Sequence, residues 1–138
     1  MVRINTEKGK VAIVGSRCLH VSIEDFVAPS VSHIITGGAL GVDTDAIDFA
    51  RKYKIPITIV RPNYDEFGNI APIIRNKKIV ELCDSFIAVW DGHSKGTKSA
   101  INFAVKSKKP VTVFIVEDKH ITKHYYNTSE QVRLFNIF

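Results

Sequence analysis

The chain of 138 residues is poor in sulfur and has no long apolar run. Its two cysteines, Cys18 and Cys83, stand alone. Neither belongs to a Cys-x-x-Cys pair, so a structural zinc site and a disulfide framework both lack support. The longest apolar runs, Phe86 to Trp90 and Val111 to Val116, fall far short of the ~20 residues of a membrane span. The first residues, Met1 to Lys8, hold no apolar signal core. These absences place the expected location in the cytoplasm, with reduced thiols and no membrane partner. No internal repeat or linker divides the chain.

What is present is ordinary globular composition, 45% apolar and 24% charged. Nineteen cations against fourteen anions leave a net charge of +5 and a pI near 9.3. That balance favours anionic partners, nucleotides and nucleic acid among them, and also suits simple solubility.

Five β-rich apolar runs recur: Lys10 to Gly15, His33 to Thr36, Ile55 to Val60, Ser85 to Trp90 and Val111 to Val116. They are continuous rather than alternating, the pattern of strands covered on both faces. Helical patterns lie between them. Val42, Ala46, Phe49, Ala50 and Tyr53 form one stripe. Residues 72 to 83 and 97 to 108 read as helices, and Ser22 to Ala28 as a short one. Alternation of this kind predicts an α/β fold, a single Rossmann-like doubly wound domain. Its mainly parallel five-stranded sheet would be flanked by helices. The domain is expected over residues 10–116, after an N-terminal segment 1–9. Residues 117–138 form a C-terminal extension for packing or oligomer contact, because Leu134 to Phe138 is apolar; a homodimer or higher homo-oligomer is the expectation.

In such folds ligands sit beyond the carboxyl ends of the strands. Gly15-Ser16-Arg17 follows the first strand, offering close backbone approach, a hydroxyl and a planar cation. Gly37-Gly38-Ala39-Leu40-Gly41 follows the second and opens a helix, so its N–H groups and the helix dipole suit an anion. Asp43 and Asp45 complement that dipole, or Asp43 accepts from a ribose hydroxyl. Asp91-Gly92-His93-Ser94-Lys95-Gly96-Thr97 follows the fourth strand in the same way. A Walker Gly-Lys-Ser/Thr end is missing, which argues against a P-loop NTPase. Arg75 and Asn76 sit near the start of a helix at the same edge. His93 is a weak acid–base candidate, with Arg75 and Asp91, for any catalysis. Trp90 reads as core. His120 and His124 would share a face on a helix, but the segment reads as non-helical and no third ligand is evident; no metal is expected.

Gly15-Ser-Arg17, Thr36-Gly-Gly-Ala-Leu-Gly-Val-Asp43, Arg75-Asn76 and Asp84-Ser-Phe-Ile-Ala-Val-Trp-Asp-Gly-His-Ser-Lys-Gly-Thr97, in that order, resemble the SLOG superfamily. Its members include Smf/DprA and LOG-like Rossmann folds, and the nearest branch resembles the small YspA/YpsA-related proteins. The resemblance spans roughly residues 10–116. It implies a nucleotide-type ligand at the strand ends, related to AMP, ADP-ribose or NAD, and no certain cofactor. LOG-like members are phosphoribohydrolases, which makes a nucleotide N-glycosidase one alternative. DprA-like members imply single-stranded DNA binding as another. The chain departs from the LOG pattern Pro-Gly-Gly-x-Gly-Thr-x-x-Glu: Asp91 stands for the proline and Ala100 for the glutamate. Glycosidic cleavage needs a carboxylate beside an oxocarbenium-like centre, and an alanine supplies none.

Overall fold

The structure, a computed structural model, describes residues 9–127. The N-terminal segment before Gly9 and the apolar tail Leu134 to Phe138, expected to make packing or oligomer contacts, lie outside the described residues.

One six-stranded sheet organises the chain, in the order β3, β2, β1, β4, β5, β6. Its strands are β1 (Lys10–Gly15), β2 (His33–Thr36), β3 (Ile57–Ile59), β4 (Ser85–Trp90), β5 (Val111–Glu117) and β6 (His120–Tyr126). The first five are parallel; β6 runs antiparallel to β5. The fold is therefore the expected α/β, Rossmann-like one, with six strands rather than five. The added strand follows a two-residue turn in which Asp118 and Lys119 both hold positive φ, 46° and 67°. That is the mirror-image turn that matches strand twist and normally selects Asn-Gly, so the sequence carried no sign of it.

Each inner strand buries both faces. In β1, Val11 and Ile13 join a core on the side of α1 (Val42–Lys52) with Phe26, Phe49 and Phe114. Ala12 and Val14 join a second core on the side of α3 (Ala71–Leu82) and α4 (Lys95–Lys106) with Ile79, Phe86 and Ala104. Apolar residues at every position are the price of covering a parallel sheet twice.

The predicted elements shift at their ends for local reasons. Ile55 is still tied to α1, its N–H donating to Ala50 O at 2.8 Å, and Pro56 has no N–H for a ladder. The third strand therefore opens only at Ile57. Residues 22 to 28 form a single 3-10 turn, Ile23–Asp25, not a helix. The short α2 (Tyr64–Phe67) was not foreseen; Asn63 caps it by accepting from Glu66 N at 3.1 Å. Trp90 is only partly buried and donates from Nε1 to Ser94 O at 3.0 Å. Among the described residues no helix is long and apolar enough to cross a membrane.

Candidate functional site

The strand order reverses between β1 and β4, and there a cleft of about 340 Å³ opens at the carboxyl ends of the strands. Its wall comes from four places. The β1 end gives Val14, Gly15, Arg17 and Cys18; the glycine loop and α1 give Ala39 and Asp43. Helix α3 gives Pro72, Arg75, Asn76 and Ile79, and the start of α4 gives Ser94, Lys95, Gly96, Thr97 and Ala100. Ten of the residues singled out in the sequence thus meet in one cleft. Val14, Cys18, Pro72 and Ile79 were missed; the last two carry no signal beyond the inner face of a helix.

Other expected ligand contacts have different work. Ser16 is fully buried, and its Oγ accepts from Asp91 N at 3.0 Å, locking the ends of β1 and β4 together. Gly41 opens α1 at φ +78°, and a Cβ there would collide with the carbonyls of Ser16 and Arg17. Gly37, Gly38 and Gly92 also lie outside the cleft wall; a Cβ on Gly37 would stand 2.6 Å from the Arg75 guanidinium.

Asp43 is the brace of the site. It is 4% exposed, and its two oxygens accept from Gly15 N and Ala39 N, each at 3.2 Å. One carboxylate so ties the β1 end to the glycine loop. Burial pushes its pKa up, against the N–H bonds and the Arg75 charge that favour the ionised form. Arg75, half-buried, donates from a terminal nitrogen to Gly37 O at 2.8 Å and from Nε to Asn76 Oδ1 at 2.9 Å. Burial lowers its pKa from a very high start, so it stays a cation.

The turn after β4 is organised by Asp91. Oδ1 accepts from His93 N and Ser94 N, both at 2.8 Å; Oδ2 accepts from Ser94 Oγ at 2.9 Å and from Cys18 Sγ at 3.1 Å. Burial is the largest single influence and opposes the charge, but the four donors together outweigh it and hold the carboxyl well below the usual range. The same bond raises the Cys18 thiol pKa. His93 is exposed and stands outside the cleft wall. Because Ser94 donates its hydroxyl to Asp91, it does not cap α4. The first turn of α4 therefore has no side-chain cap, and Ser94 to Thr97 line the cleft.

Gly96 stands out among the glycines. Its φ is not positive, and a Cβ there would meet nothing within 4 Å. Neither backbone geometry nor packing asks for glycine in this first helical turn, where alanine is the better helix former.

His120 and His124 lie on β6, about 13 Å apart along the strand by the usual rise, too far for one metal ion. Among the described residues no group of three or more His, Cys, Asp or Glu side chains could hold a metal. Comparison with protein-family models, curated proteins and solved structures finds no match.

Proposed function

We propose that the chain binds a nucleotide or nucleotide-derived ligand in this cleft, its phosphate at the uncapped start of α4. The observation that carries the reading is Gly96: a glycine with no structural reason, on the cleft wall, where a ligand would lie against the backbone. Supporting it are the helix dipole, the N–H groups of the first turn, and the cations Arg17, Lys95 and Arg75 around the same space. Asp43 serves through the backbone it braces, being 4% exposed with each oxygen accepting an N–H.

The N-glycosidase alternative has less support. Ala100 stands in the cleft wall where the LOG pattern has its glutamate. Among the residues lining the cleft, Asp43 is the one carboxylate, and it is committed to two N–H groups. Single-stranded DNA binding would draw on stacking aromatics, and Tyr125 and Tyr126 lie on β6 rather than at the cleft.

The test is a thermal-shift panel of AMP, ADP, ATP, NAD, ADP-ribose, cyclic nucleotides and a single-stranded oligonucleotide. A ligand at one hundred times its Kd adds about 2.7 kcal/mol, which for a domain of this size is on the order of 10 °C. A shift with a small nucleotide, lost in Arg75→Ala, is expected. A shift with the oligonucleotide alone overturns the reading.

A further inference from the structure

Beside the cleft runs a second groove, of about 420 Å³, between the outer faces of α3 and α4. It shares Asn76 and Lys95 with the cleft, so the two spaces adjoin. Four lysines, Lys77, Lys95, Lys98 and Lys106, line it, and no carboxylate does. Among the described residues the ion pairs are His20 with Asp45 and Lys52 with Glu24, both on the α1 side of the sheet. Among the described residues the groove lysines thus have no carboxylate partner, although Lys77 lies 5.6 Å from the centroid of the Phe103 ring.

The charge is concentrated there. Helices α3 and α4 carry Arg75, Lys77, Lys78, Lys95, Lys98 and Lys106 against Glu81 alone. Their net +5 equals the formal charge of the entire chain. The placement also works against the helix. Helix α1 opens with Asp43 and Asp45, as its dipole favours, whereas α4 opens with Lys95 and Lys98 and has no acid in its first turn. The Asp91 carboxylate, which accepts from Ser94 N and Ser94 Oγ, already supplies one negative charge at that end, and the two lysines leave it net positive, which a helix N-terminus disfavours.

From this geometry we infer that the groove is a second phosphate subsite, and that the ligand is a nucleotide with a second phosphate group separated from the first, of the linear dinucleotide class. The inference rests on the nucleotide reading of the cleft. The cleft alone is at the small end of ligand-site volumes, roughly 300–1,000 Å³; the groove more than doubles the space. One phosphate sits at the start of α4, the chain passes Lys95, and the second phosphate lies among Lys77, Lys98 and Lys106.

The experiment is a ¹⁵N amide titration of the full chain with inorganic phosphate, with matched sodium chloride as control, followed by AMP and the linear dinucleotide pApA. Gly96 and Thr97 report the cleft; Asn102, Phe103 and Lys106 report the groove. Saturable phosphate shifts are expected at both sets. The double variant Lys98→Gln, Lys106→Gln alters exposed side chains only and leaves Lys95 in place. It should abolish the groove shifts, keep the cleft shifts, and weaken pApA about tenfold while leaving AMP unchanged. Groove shifts that follow chloride equally, or pApA binding no tighter than AMP, overturn the second subsite while leaving the cleft reading standing. Silence at Gly96 and Thr97 overturns the cleft reading, and the second subsite with it.

Discussion

Replacing Gly96 by alanine separates structure from function at one atom. The residue is second in α4, and an added Cβ meets open space. Alanine restricts the unfolded chain and favours the helix, which stabilises by about 0.4–1 kcal/mol where the backbone fits. For 138 residues this is an increase of roughly 2–4 °C in Tm. The unliganded variant should therefore melt higher than the parent by differential scanning calorimetry. The ligand experiences the opposite. A methyl group now occupies the space over the backbone that a phosphate or sugar would use, so the Tm gain from a binding nucleotide should shrink, and its Kd rise at least tenfold by calorimetry. The two signs together are the prediction. A variant that is more stable and binds as well as the parent would refute the reasoning, because Gly96 would then have no role in approach. A variant less stable without ligand would refute the packing statement itself.

Asp43→Asn should cost about 2 kcal/mol, since an amide cannot accept from both Gly15 N and Ala39 N, and one N–H is left unpaired; urea unfolding checks this. Thr36→Val should be neutral or stabilising by up to about 1 kcal/mol, because among the described residues the buried Thr36 Oγ1 has no partner to lose; the same unfolding curves decide it. The depressed Asp91 pKa means that its stabilisation is present above the ordinary carboxyl range and is lost as pH falls below about 4 toward the folded value. Asp91→Asn should thus flatten the acid limb of the stability profile. The same variant should speed labelling of Cys18 by a disulfide reagent at pH 8, since the thiolate no longer faces a carboxylate. Cys83, buried with its pKa pushed up to about 11, should stay unlabelled until the protein unfolds.

Local pattern was enough for much of this molecule. Continuous β-branched runs such as Val11 to Val14 announced strands covered on both faces, because a parallel sheet cannot hide polar side chains. Glycines at strand ends marked the sheet edge at which the cleft opens, because helices that start there leave N–H groups without helical partners. Other features depended on partners far along the chain. β6 needed the unusual Asp118-Lys119 turn and the free edge of β5. Ser16 looked like a ligand hydroxyl until Asp91, 75 residues away, claimed it. Asp43 looked like a dipole or ribose residue, but folding buried it between Gly15 and Ala39 and made it a brace. The lysine groove exists only because α3 and α4 pack side by side. Periodicity records which face of an element is buried; which element lies opposite is decided by tertiary packing, and that is where charge and hydrogen bonds acquire their partners.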